Sequence, residues 1–244
     1  RIPGPGTELL INRKEEADVY RAIQPLKISE HIIYMNGDTG YKIAEYYEGA
    51  RNSHAGSWED VAACMKVLHK LHESQLTVDH EFNIRERIAF YEGLCAAHGG
   101  TLFEDYAVVR SHMNELMDQL DALNRPKVLS HIDSVADNFL FLPDGSVRLI
   151  DWEYAGMCDP LIDISMCAIY SYYDEGAVEK LMQIYFGREP EAVERKIIYS
   201  YIALGGFLWA LWAVYKASLG EEFGEYTLIM YRYAKQYYKK VCLL

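Results

Sequence analysis

A chain of 244 residues, half of them apolar, is long enough to bury a substantial core and too hydrophobic to be generally disordered. Its formal charge of −12 argues against nucleic acid or an anionic membrane as a main partner. The five cysteines (Cys64, Cys95, Cys158, Cys167 and Cys242) are scattered and lack Cys-x-x-Cys spacing. They read as reduced thiols of a cytoplasmic protein rather than a disulfide frame or a zinc site.

The opening RIPGPGTELLINR reads as the tail of a strand running into a glycine- and proline-rich loop. Asn12 then caps a helix that carries Glu15 and Glu16 in its first turn and Val19, Tyr20 and Ile23 on its inner face. Pro25 ends it. HIIYM at 31–35 and YKIAEYY at 41–47, separated by Asn36-Gly37-Asp38, predict a hairpin. After Gly49 helical spacing dominates, first over 58–72 with Val61, Met65, Leu68 and Leu71 inward, then over 84–97 and 102–123. Further helices are expected at 164–173, 177–186, 191–219 and 226–241. The shift from strand to helical patterning predicts a small β-rich domain over 1–46 and a large helical one over 47–244. The apolar run from Tyr199 to Val214 is interrupted by Gly205 and Gly206, too short and too aromatic for a stable membrane insertion.

The stretch from Val128 to Ile164 carries the chemistry. Phe139–Leu142 and Val147–Ile150 are apolar runs joined by Pro143-Asp144-Gly145, a turn signal that predicts a hairpin. That pairing places Asn138, at the mouth of the first strand, near Asp151, just past the second. An amide oxygen and a carboxylate converging there suit Mg²⁺, which takes hard oxygen ligands and keeps several waters. Asp133, five residues upstream, is close enough to act as a base, so the group reads as a phosphoryl-transfer site. A hydrolytic metal site built from His131, Asp133, Asp151 and Glu153 is the competing reading. Downstream, Trp209 and Trp212 are three residues apart and share a helical face, either as core or as the wall of a ligand pocket.

The His131-x-Asp133-x4-Asn138 pattern followed by Ile150-Asp151-Trp152-Glu153 resembles the catalytic and metal-binding loops of the choline/ethanolamine kinases of bacterial type, within the aminoglycoside phosphotransferase and protein-kinase-like superfamily. The resemblance implies an α+β, two-lobed protein-kinase-like fold with a small N-lobe and a large helical C-lobe. It implies Asp133 as catalytic base, Asn138 and Asp151 as Mg²⁺ ligands with Glu153 on the metal side, His131 as a brace of the loop and Asp163 as an acceptor for its backbone. Upstream, Arg1 resembles the basic strand residue that contacts ATP phosphates, and Glu16 its helix partner, a place where Glu also fits simple helix-dipole compensation. Ala44 and Tyr46 fall on the hinge beside adenine, with Leu140 and Ile150 beneath it. FLWALW followed by Glu222-Phe223-Gly224 resembles the region that walls the choline pocket, which implies Trp209 and Trp212, with Tyr170, Tyr173, Phe223 and Tyr226, as substrate residues. A quaternary ammonium cannot donate hydrogen bonds and is held best by aromatic faces. A glycine-rich hairpin is implied ahead of Arg1, and Gly4-Pro5-Gly6 follows that residue rather than preceding it, so either two strands lie upstream or the nucleotide site is more open. The expected reaction is phosphorylation of choline by MgATP. The alternatives are an ethanolamine, other small amino-alcohol or aminoglycoside kinase, and a non-catalytic choline-binding module.

Overall fold

A computed structural model describes residues 1–4 and 6–244, so the middle of the Gly4-Pro5-Gly6 segment lies outside the described residues. The chain divides into two compact units. One comprises 1–82 with 127–188, the other 83–126 with 189–244. Residues 1–46 lie within the first of these units, tied to the segment that carries the candidate chemistry. The Leu149 N–H, for example, donates to the Ile28 carbonyl at 2.7 Å.

In the first unit, helix α1 (Arg13–Ile23) starts where Asn12 accepts the N–H groups of Lys14 and Glu15, and it buries Val19, Tyr20 and Ile23. Strands β1 (Ile32–Met35) and β2 (Lys42–Ala44) form an antiparallel hairpin with an irregularity between Ile32 and Tyr34. The two-residue strand β3 (Arg51–Asn52) pairs with β5 (Phe139–Phe141), which pairs in turn with β6 (Val147–Leu149). A separate two-stranded ladder joins β4 (Val128–Ser130) to β7 (Gly156–Cys158). Helices α2 (Trp58–His72), α5 (Leu161–Tyr170) and α6 (Glu175–Phe186) complete the unit. Helix α5 begins three residues earlier than the periodicity suggests, because Pro160 sits at its N-cap and pre-sets the turn.

The second unit contains α3 (Ile84–Ala97), α4 (Tyr106–Ala122), α7 (Ala192–Ser218) and α8 (Tyr226–Val241). Helix α4 starts at Tyr106 rather than 102, with Asp105 at its N-cap position. Helix α7 is long and apolar enough to cross a membrane, yet it is buried almost continuously from Ile197 to Tyr215 as the core of this unit. Gly206 permits the close crossing of α8. A Cβ there would lie 2.6 Å from the Met230 carbonyl oxygen and 2.8 Å from the Tyr233 Cβ. The second glycine of the pair that interrupts the apolar pattern is therefore a packing device.

Candidate active site

The register of β5 against β6 sets the end of the hairpin that matters. Phe139 faces Leu149, and one step further the Ile150 N–H donates to the Asn138 carbonyl at 2.9 Å. Asn138 and Asp151 thereby flank the same mouth. Asp151 sits at φ 64, a left-handed conformation that Asp tolerates better than most side chains. The Asn138 amide nitrogen donates to the Asp133 carbonyl at 2.8 Å and to its carboxylate at 3.0 Å. The amide oxygen, Oδ1, is thus the atom left to face a cation. The Tyr170 hydroxyl also bonds Asp133. Burial pushes the Asp133 carboxyl above its ordinary range, helped by the nearby Asp151 charge and opposed by His131, Tyr170 and Asn138.

The loop that presents Asp133 is held from behind by Asp163, which is fully buried. One Asp163 oxygen accepts the His131 N–H at 2.9 Å and the other the Ile132 N–H at 2.6 Å, and the Ser134 hydroxyl donates to the Asp163 carbonyl at 2.7 Å. Ile132 has φ 71, costly for a β-branched residue and stabilised by that contact. The His131 ring is buried. Its Nε2 bonds the Ile150 carbonyl at 2.9 Å, and it meets buried Trp152 in a T-shaped contact, 4.6 Å between ring centres. Burial alone would raise the Asp163 pKa, but hydrogen bonds from His72 and the loop, with the two histidine rings nearby, hold it below the usual carboxylate range.

An ion-pair cluster lies beside Asp151. Arg1 makes two bonds to Glu16, at 2.5 and 2.6 Å, and reaches Asp151 at 2.7 Å and Glu153 at 3.4 Å. Arg13 bridges Glu16 at 2.8 Å and Glu153 at 2.9 Å. The Glu16 side chain is fully buried, which a mere dipole-compensating Glu at a helix start does not need to be. The oxygen of Glu153 that the cluster engages is turned to the two arginines, and burial, then Asp151, pushes its carboxyl upward.

Arg1, Ala44, Tyr46, Leu140, Ile150 and Asp151 line one cleft of about 470 Å³, together with Glu30, Lys42, Glu45, Tyr47 and Ala50. Behind it Lys42 is buried against the Tyr20 hydroxyl at 2.6 Å and Glu30 at 2.8 Å, and burial with the Glu30 charge drives the Tyr20 phenol far upward. A larger cavity of about 770 Å³, bounded by α1, β1 and Arg148, contains none of the candidate catalytic residues.

The aromatic candidates separate into two groups. In the second unit Trp212 lies 4.7 Å from Phe223 and 6.3 Å from Tyr226, measured between ring centres, with Phe223 37 % exposed. Trp209 meets Trp212 edge-on at 6.3 Å but is only 4 % exposed, so it backs the cluster rather than lining it. In the first unit Tyr170 is bound to Asp133, while buried Tyr173 packs on Trp58 at 5.4 Å and donates its hydroxyl to the Ala55 carbonyl. These positions make Tyr173 a packing residue.

Among the described residues no three His, Cys, Asp or Glu side chains gather as a metal site, and His131 is committed to a backbone carbonyl. The hydrolytic metal reading is therefore not favoured by these positions. The residues do fit Mg²⁺ shared with phosphates, which needs only one or two protein oxygens. Asn138 Oδ1 and the Asp151 oxygen not engaged by Arg1 have no protein partner among the described residues.

Sequence reasoning missed Arg13, Glu30, Lys42 and His72. For His72 a signal existed, since it falls on the apolar stripe of α2 one residue after Leu71 and is buried there.

Residues 11–195 match the phosphotransferase enzyme family (APH). The chain is 26 % identical over 243 residues to the protein LicA of Haemophilus influenzae, covering 93 % of this chain and 88 % of that one. Its fold matches the crystal structure of choline kinase LicA from Streptococcus pneumoniae with a TM-score of 0.85 and 28 % identity, over 98 % of this chain and 85 % of the other. A LicA structure in complex with AMP matches equally well, at 0.85 and 28 % over 99 % of this chain and 83 % of that one. A choline/ethanolamine kinase family protein from Mesorhizobium loti follows at 0.79 and 25 %, over the whole of this chain and 80 % of that one.

Proposed function

Because this chain belongs to the phosphotransferase enzyme family, we propose that it transfers the γ-phosphoryl group of ATP to the hydroxyl of choline, giving phosphocholine and ADP. The observation that carries this reading is the Asp133–Asn138 hydrogen-bonded pair at the hairpin mouth shared with Asp151, which itself lines the 470 Å³ cleft.

ATP would lie with its base against Ala44, Tyr46, Leu140 and Ile150 and its phosphates toward Arg1, whose guanidinium is paired with Glu16. Asp133, whose carboxyl pKa is raised by burial, is a better proton acceptor than an exposed carboxylate. It orients the choline hydroxyl and receives its proton as the new O–P bond forms and the bond from the γ-phosphorus to ADP breaks. Asn138 and Asp151 would hold Mg²⁺, which would supply positive charge to neutralise the phosphates. Within the second unit, the aromatic faces of Trp212, Phe223 and Tyr226 suit a trimethylammonium group, each cation–π contact contributing roughly 0.5–2 kcal/mol. ATP as donor and five free cysteines fit a cytoplasmic setting.

The test is ATP turnover with choline against ethanolamine. The expected result is a clear preference for choline in kcat/KM. A strong preference for ethanolamine would remove choline as the substrate, since a primary ammonium is served better by hydrogen-bond acceptors than by aromatic faces.

A further inference from the structure

In a chain of formal charge −12, the 770 Å³ cavity beside α1 is lined by three cations, Arg21, Lys27 and Arg148, and by two carboxylates, Glu30 and Glu45. The Glu30 charge is already answered by Lys42 at 2.8 Å, and the Tyr20 hydroxyl donates to the same oxygen at 2.6 Å. Arg21 pairs with Asp18 on its own helix. Lys27 and Arg148 form no ion pair among the described residues. The Arg148 guanidinium reaches the Val147 carbonyl at 3.5 Å and feels Asp144 only from beyond ion-pair distance. The Leu149 N–H donates to the Ile28 carbonyl at 2.7 Å, so the residues just before each, Lys27 and Arg148, are brought close together. Both line the cavity. Two unanswered like charges repel, and a dianion between them turns the repulsion into attraction.

A cavity of this size holds far more than a bare phosphate. Pro25, Ile32, Met35 and Tyr47 give it an apolar wall, and the Ser29 hydroxyl, which makes only a long 3.3 Å contact to the Glu30 carbonyl, adds a donor. The partition toward the 470 Å³ cleft is thin, because Glu30, Glu45 and Tyr47 line both spaces. On the other side the cavity meets α1 through Ala17 and Tyr20, and Glu16, which pairs with Arg1, belongs to the same helix. A ligand that ties Lys27, shortly past the end of α1, to Arg148 on β6 therefore fixes α1 against the hairpin that leads to Asp151. That holds Arg1 and Asp151 in the arrangement the cleft presents.

We propose that this cavity is a second ligand site, for an organic phosphomonoester, whose occupation strengthens nucleotide binding in the neighbouring cleft. Lys27 and Arg148 take the phosphate dianion, and Pro25, Ile32, Met35 and Tyr47 cover the apolar body. The coupling rests on the reading of the 470 Å³ cleft as the ATP site, whereas the binding itself does not. Linkage makes the effect mutual, so nucleotide tightens the phosphomonoester by the same factor.

The probe is phenyl phosphate, a dianion with a planar apolar body that is neither substrate nor product of the proposed reaction. It is titrated calorimetrically into the full chain and into Lys27→Gln, Arg148→Gln and the double variant, without choline. Each titration is run with and without Mg²⁺ and a non-hydrolysable ATP analogue. One site is expected in the unaltered chain, weakened about 10-fold by each substitution, the scale of one charge-assisted hydrogen bond. Inorganic phosphate, which lacks the apolar body, should bind at least about 10-fold more weakly. Saturating analogue should lower the phenyl phosphate Kd about fivefold or more, and phenyl phosphate should lower the Kd of the analogue by the same factor. The double variant should bind the analogue as the unaltered chain does and lose this coupling. Absence of phenyl phosphate binding, undiminished affinity in the folded double variant, or inorganic phosphate binding as tightly would overturn the site. Competition between phenyl phosphate and the analogue would overturn the coupling and place the probe in the nucleotide cleft. Lys27 is exposed, so Lys27→Gln alone decides the question should the Arg148 variants fail to fold. If the analogue does not bind, the ATP reading of the cleft fails, while the titrations without it still decide the second site.

Discussion

Replacing Glu16 by Gln removes the fully buried negative charge that both arginines of the cluster share. The Glu16 side chain is fully buried and accepts three charge-assisted bonds, two from Arg1 at 2.5 and 2.6 Å and one from Arg13 at 2.8 Å. Bonds of this kind contribute about 1.5–3 kcal/mol each, but Gln keeps one acceptor oxygen, and Asp151 and Glu153 continue to face the guanidinium groups. Breaking a buried pair by removing one partner costs about 3–5 kcal/mol, and the remaining carboxylates place this case near ~3 kcal/mol. With a urea slope of roughly 3 kcal/mol/M, the unfolding midpoint of the first unit should fall by about 1 M. Urea titration followed by circular dichroism reads the stability, and initial rates against ATP concentration read the site. Because Glu16 also holds Arg1 toward the cleft, the ATP KM should rise several-fold while the choline KM stays unchanged. A midpoint shift corresponding to less than about 1 kcal/mol would mean that Asp151 and Glu153 alone neutralise the arginines, and would refute the central place given to Glu16.

Asp133→Asn should abolish turnover, leave choline affinity within a few-fold, and raise the melting temperature at neutral pH. The sign follows from its raised folded-state pKa. A carboxyl harder to ionise when folded loses stability as pH climbs from its unfolded value through its folded one, and the neutral amide escapes that loss. For the same reason the acid limb of kcat in the unaltered enzyme should lie above the ordinary carboxylate range, measured by pH-rate profiles. Trp212→Ala should raise the choline KM roughly 2- to 30-fold, the equivalent of about 0.5–2 kcal/mol, with stability little changed. Trp209→Ala, which empties a buried site, should instead lower stability by about 3–5 kcal/mol, and a KM effect equal to that of Trp212 would contradict its backing role. Gly206→Ala should cost about 1–3 kcal/mol in thermal unfolding, because its Cβ would sit 2.6 Å from the Met230 carbonyl oxygen, and an unchanged melting temperature would show that α7 and α8 can separate freely.

Local signals were enough for the main helices and for the ends of the catalytic hairpin. Asn12 as a cap, the 3.6-residue spacing in α2 and the Pro143-Asp144-Gly145 turn are each read within a dozen residues, and the β5–β6 register then brings Asn138 to Asp151 without reference to the rest of the chain. The roles of Asp133 and Arg1 came from resemblance to a kinase family rather than from any periodicity. What required the folded chain were the contacts between residues far apart in sequence. No local pattern pairs two-residue β3 with β5, or β4 with β7, since strands this short carry too few alternations to signal themselves. Arg13 reads as an ordinary helix-start cation until Glu153, 140 residues away, closes on it. His72 reads as part of an apolar stripe until Asp163 meets it. Trp209 and Trp212 share a helical face in sequence, yet burial makes one a support and leaves the other open. Periodicity specifies which side of an element turns inward, because it follows from backbone geometry alone. Which polar group waits there depends on the packing of distant segments, and only the tertiary structure decided that.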